Sequence, residues 1–86
     1  MEEAKDMIMT LLADNGYVVS QKRRVIIDIL CRKKYIQSVD DFWWDIRRQH
    51  NISWATVYNT IRLLVQIGCV IPADTESRQQ QFTLCV

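Results

Sequence analysis

Glycine and proline are scarce: the 86 residues contain two of the first and one of the second. That leaves little room for long linkers, low-complexity segments or a sheet-dominated architecture with many turns. No apolar run approaches the ~20 residues needed to cross a bilayer. Met1 to Thr10 lacks the pattern of a signal peptide. Both absences point to the cytosol and away from a membrane partner. Histidine occurs once, as His50, and cysteine three times, as Cys31, Cys69 and Cys85. The cysteines form neither a CxxC pair nor an even disulfide framework. A four-ligand zinc site would need all three thiolates plus the single imidazole, far from the usual ligand spacings. Each cysteine therefore reads as a small buried or half-buried thiol. No carboxylate pair sits in an evident cleft, and one histidine with scattered cysteines gives no convincing nucleophile–base pair, so an enzyme reading has little in its favour.

What remains is ordinary for a globular chain: 49% hydrophobic and 24% charged residues, enough for one domain over residues 1–86 with a single small core. The net charge is +1 but unevenly spread. Residues 1–19 set Glu2, Glu3, Asp6 and Asp14 against Lys5, a balance of −3. Residues 20–62 carry nine Lys or Arg against four Asp, a balance of +5, and residues 63–86 return −1. A positive middle half is the asymmetry an anionic partner uses.

Four helices are predicted. The first runs from Glu2 to Asn15, with acidic residues leading it, Met7, Ile8, Leu11 and Leu12 on its apolar face, and Asn15-Gly16 as the stop. Ser20 caps the second, Gln21 to Lys33, whose core face is Ile26, Ile27, Ile29 and Leu30 with Val25 alongside. Arg32, Lys33 and Lys34 suit the negative end of that helix. Lys22, Arg23 and Arg24 do not suit its positive start, so either a phosphate backbone or the acidic first helix holds them. Ser38 with Asp41 opens a third helix to about Gln49, buried along Val39, Phe42, Trp43 and Ile46. Trp44 cannot easily share that face with Trp43; half-buried packing is the favoured reading, with an exposed anchor for a partner as the alternative.

The fourth helix lies in NISWATVYNTIRLLVQIG, residues 51–68, between the caps Ser53 and Gly68. Trp54, Val57, Ile61, Leu64 and Val65 recur at the period of one buried face. Thr56, Asn59, Arg62, Leu63 and Gln66 lie opposite, with Tyr58 at the boundary. Short polar groups, an aromatic hydroxyl and an arginine suit base edges and phosphates in a major groove, and equally suit plain solvent. The third helix, the link at His50 to Ile52 and the fourth helix make a helix-turn-helix over about 38–67. Cys69 to Ile71, ended by Pro72, and Gln79 to Val86 read as two strands around a polar turn, a wing over about 69–86. The fold class is mainly α with a small β-hairpin: a winged helix.

Three blocks carry a family resemblance: GYVVSQKRRVIIDIL, SVDDFWWDIRRQHNIS and ISWATVYNTIRLLVQIGCV. Together they resemble the DNA-binding half of the ferric uptake regulator family of bacterial metal-responsive repressors, over most of residues 8–72. In the first block Ser20 and Arg23 stand in the family's threonine and arginine places, and the last is similar to its A-T-V-Y-R segment. The resemblance implies a sequence-specific double-stranded-DNA-binding transcription regulator, cytoplasmic and nucleoid-associated. It makes Tyr58 a base-facing residue and Arg23 a phosphate contact. Asn59 replaces the family's arginine; asparagine can bond adenine, and Arg62 one turn on is a partial substitute. Ser53, Thr56, Tyr58, Asn59 and Arg62 are thus expected at bases or nearby phosphates, and Lys22, Arg23, Arg24 and Arg78 on the backbone. The family's second domain, with its metal sites and dimer interface, has no counterpart in these residues, so no cofactor follows. Other expected partners are a second copy or another protein, through Trp44 or the wing. The alternative function is a winged-helix protein-interaction module that has lost DNA binding.

Overall fold

Three serines start three helices. In the computed structural model, which describes residues 2–73 and 81–86, Ser20 precedes α2 (Gln21–Lys33), Ser38 precedes α3 (Val39–Arg47) and Ser53 precedes α4 (Trp54–Gln66). Each hydroxyl accepts from the backbone N–H three residues on: Arg23 at 3.3 Å, Asp41 at 3.4 Å and Thr56 at 3.2 Å. Each cap contributes about 1 kcal/mol by meeting a donor the helix cannot satisfy. The first helix, α1, spans Glu2–Asp14. The helix ends are equally explicit. Gly16 closes α1 at φ +82° and Gly68 closes α4 at φ +85°. Lys34 closes α2 at φ +66°, a left-handed conformation that costs a side chain what it spares glycine.

That left-handed turn feeds a strand the sequence reading lacked. β1 (Tyr35–Ile36) joins β2 (Val70–Ala73) and β3 (Gln81–Leu84) in an antiparallel sheet of order β1-β3-β2. The expected two-stranded wing is therefore a three-stranded sheet. Ile36 lies opposite Phe82 and Tyr35 opposite Thr83, while Val70 to Ala73 pair with Leu84 to Gln81. Pro72 sits inside β2 instead of ending it. Because β2 is an edge strand, a residue without an N–H is tolerated there. The remainder of the expected wing tip, including Arg78, lies outside the described residues.

The core is built where every element meets. Ile8 and Leu12 of α1, Ile26, Ile27 and Leu30 of α2, Phe42 and Ile46 of α3, and Val57, Ile61 and Leu64 of α4 are all buried, with Ile36, Val70 and Phe82 closing it from the sheet. Each such side chain contributes about 1.5–3 kcal/mol by leaving water. Several expected core positions differ. Met7 is exposed, because α1 turns only one narrow face inward and Ile8 and Leu12 occupy it. Ile29, Leu11 and Val65 are half-buried. Trp54 is exposed because the first turn of α4 projects past the edge of the core. The buried stripe takes in Thr60 on its other flank, which has no exposed surface and whose hydroxyl donates to Thr56 O at 2.7 Å.

Candidate nucleic-acid interface

The link between α3 and α4 is held from both sides. His50 N–H donates to Ile46 O at 2.9 Å and Ile52 N–H to His50 O at 3.0 Å, so the chain folds back tightly after α3. Ile52 buries its side chain. Its carbonyl accepts the indole N–H of Trp43 at 2.9 Å. Trp43 is thus half-buried, less than a full core residue, because its polar edge serves the link. A second indole ties the starts of the two helices: Trp54 Nε1–H donates to Asp40 Oδ1 at 2.8 Å. Together these bonds fix the orientation of α4 against α3, which is what a helix-turn-helix needs to present its second helix to a groove.

On α4 the expected contact residues divide into three kinds. Ser53 and Thr56 are bound to each other, Oγ to Oγ1 at 2.9 Å, as well as forming the cap, so their hydroxyls are oriented and partly used. Tyr58 is half-buried and stacks nearly parallel on Trp54, with ring centroids 5.0 Å apart and planes 8° apart. Asn59 and Arg62 are exposed, on one stripe with Ala55 and Gln66 at helical spacing. Neither the Trp54–Tyr58 stack nor the bond to Asp40 was foreseen. The spacing i, i+4 placed the two rings in reach, but assigning Trp54 to the core concealed it.

The basic start of α2 is partly answered. Lys22 and Arg24 are exposed and Arg23 is half-buried, with no acidic residue in the first turn. None of the three ion pairs among the described residues includes them. α1 reaches α2 through Lys5 and Asp28 instead, at 3.5 Å. Further along α2, burial pushes the Asp28 carboxyl upward, but the hydrogen-bonded Arg32 guanidinium and the Lys5 ammonium outweigh it and hold it below the usual carboxylate range. The Lys33 ammonium, 2.9 Å from Asp45, likewise lowers that carboxyl. α2 packs against α4, so its basic first turn is held on the same scaffold as the exposed face of α4.

Metal donors are a separate matter. Among the described residues no group of three His, Cys, Asp or Glu could hold an ion. Cys31 and Cys69 are buried, and burial raises both thiols, which disfavours the thiolate a metal takes.

The profile of the ferric uptake regulator family matches residues 14–86, the helix-turn-helix and the sheet included. The chain belongs to that family. No curated protein matches the chain in sequence. Solved structures are similar in fold. GAS PerR-Zn-Zn superposes with a TM-score of 0.85 at 23% identity, covering 94% of this chain and 53% of its own. PerR from Streptococcus pyogenes, described by its peroxide sensing and gene regulation, gives 0.83 at 23% identity, with 94% of this chain and 56% of its own covered. A zinc-bound manganese uptake regulator gives 0.75 at 22% identity, covering 92% and 61%. The chain thus spans a little over half the length of these family structures. Their agreement with it is an agreement of fold: four helices and an antiparallel three-stranded sheet. The metals in their descriptions find no donor set among this chain's described residues.

Proposed function

We propose that this chain is a double-stranded-DNA-binding module of a transcription regulator, akin to the DNA-binding part of a ferric uptake repressor. The observation that carries the reading is the exposed stripe of Asn59 and Arg62 on a helix whose approach angle is fixed by two indole hydrogen bonds. In this reading α4 enters the major groove. Asn59 bonds an adenine edge, Arg62 a guanine edge or a phosphate, and Tyr58 meets the bases with its ring held by Trp54. Ser53 and Thr56 reach the nearest phosphates from the first turn, where the helix dipole favours an anion. Lys22, Arg23 and Arg24 set the register on the backbone and read no sequence; Arg78 of the wing is assigned the same task. Residues 1–86 act as one unit here, working in the cytoplasm on nucleoid DNA.

Charge reversal tests it. Arg23→Glu with Arg24→Glu removes two phosphate contacts, so the salt slope of binding falls by about 2 and affinity drops at every sequence. Asn59→Ala costs about 1–3 kcal/mol at one base pair and relaxes preference there. Affinity unchanged by the double reversal, with the far-ultraviolet spectrum intact, would exclude this interface. One observation favours a second reading, a protein-interaction module: Trp44 is 52% exposed, against the packing expected for it.

A further inference from the structure

A second surface lies on α3, formed by residues the DNA reading leaves unused. Trp44, Arg47, Arg48, Gln49, His50 and Asn51 line an open groove of about 450 Å³ along the last turn of α3 and the link. Among the described residues no acidic side chain lines it. Trp44 meets Trp43 edge-on at 6.0 Å, and the Arg47 guanidinium sits 5.5 and 5.6 Å from the two ring centroids. Neither Arg47 nor Arg48 joins an ion pair among the described residues. A large indole left half in water beside a guanidinium is the anatomy of an interface anchor.

The same chain carries the complement. On α1, Glu3, Asp6, Met7, Thr10 and Asp14 are all exposed, and their spacing puts them on one stripe opposite the buried Ile8 and Leu12. The stripe is about 16 Å long, at 1.5 Å per residue. It holds three carboxylates, no cation and one large apolar group, Met7, which is 53% exposed. None of the three carboxylates is ion-paired among the described residues.

The geometry points to self-association: the acidic outer stripe of α1 from one copy docks in the Trp44 groove of a second. Met7 lies against the Trp44 indole, a thioether–aromatic contact, and Glu3 and Asp6 face Arg47 and Arg48. In a two-fold pair the contact forms twice, so each copy gives and receives a helix. Even formed twice, a contact of one helix face with one open groove makes a small interface, and the association is correspondingly weak, of roughly micromolar to sub-millimolar Kd. Charge carries much of it, so it weakens as salt shortens the screening length.

Sedimentation equilibrium of the 86-residue chain without DNA reads this directly. At about 50 mM salt and a few hundred micromolar protein, the weight-average mass should exceed the 10.2 kDa monomer, and it should fall toward it near 0.5 M salt. Glu3→Lys with Asp6→Lys, and separately Arg47→Glu with Arg48→Glu, should each raise Kd roughly tenfold or more. An equimolar mixture of the two double variants pairs basic helix with acidic groove and acidic helix with basic groove, so association should return. Trp44→Ala should weaken the parent and the mixture alike. Circular dichroism confirms that each variant is folded. A parent that stays monomeric at low salt overturns the proposal, as does a groove reversal that acts while the α1 reversal does not, or a mixture that fails to reassociate. Because no DNA is present, failure of the DNA reading leaves this result untouched.

Discussion

Replacing Trp43 with phenylalanine removes the bond that holds the helix-turn-helix link and keeps an aromatic ring beside Trp44 and Arg47. The indole N–H donates to Ile52 O at 2.9 Å in a partly buried setting, and phenylalanine cannot replace it. Leaving that carbonyl unpaired costs about 1–3 kcal/mol. A chain of this size has roughly 4–13 kcal/mol of stability in total, so the variant should stay folded at 25 °C while losing a visible share. Each kcal/mol corresponds to about 4–8 °C in Tm for a domain this small. The expected fall is therefore about 5–20 °C, read by far-ultraviolet circular dichroism on heating, with the urea m-value unchanged. Trp54→Phe is the control: its bond to Asp40 is exposed, so its loss should cost under about 1 kcal/mol. A Trp43→Phe melt within about 2 °C of the parent, or a larger loss from Trp54→Phe, would refute the claim that the Trp43 bond fixes the link.

Lys34 holds φ +66° at the end of α2, so Lys34→Gly should stabilise by roughly 1 kcal/mol, raising the urea midpoint; a lower midpoint would show that the lysine side chain contributes more than its strain costs. Asp28 and Asp45 both have lowered pKa values, Asp28 against the upward push of burial and Asp45 through its hydrogen-bonded lysine. Lowered carboxylates stabilise fully above the unfolded value of about 3.9 and lose that contribution as pH falls through the folded values. The urea midpoint should therefore drop between about pH 4 and pH 2, less steeply in Asp28→Asn; a flat profile, or an equal slope in that variant, would contradict the ion-pair assignment. Of the three cysteines only Cys85 is exposed, so a thiol reagent should modify one site quickly in the folded chain and three in urea. Fast labelling of Cys31 or Cys69 would show that the core opens readily.

The signals legible in the sequence were local ones. Ser20, Ser38 and Ser53 each announced a helix start, because a short side-chain oxygen before an apolar period has one favoured use. Gly16 and Gly68 marked ends because the left-handed turn there suits glycine. What stayed hidden depended on partners far along the chain. β1 is two residues long and exists as a strand only because Ile36 meets Phe82, 46 positions away. Periodicity put Trp54 on the buried face of α4, yet the core ends one turn short of it. Thr60 occupies a core position that its hydroxyl disguised; the clue available was its fit to the Val57–Leu64 spacing. Trp44 was ambiguous beside Trp43, and its half-exposed place followed only once α3 had fixed which tryptophan faced the link.

In the proposed function α4 and the start of α2 bind duplex DNA. Fluorescence anisotropy of a labelled random-sequence duplex, titrated with the chain at several salt concentrations, tests it most directly. Micromolar binding is expected at about 50 mM salt, with a log–log slope of roughly −3 to −6 from several neutralised phosphates. No binding at tens of micromolar protein in about 50 mM salt, where phosphate contacts are strong, would contradict it.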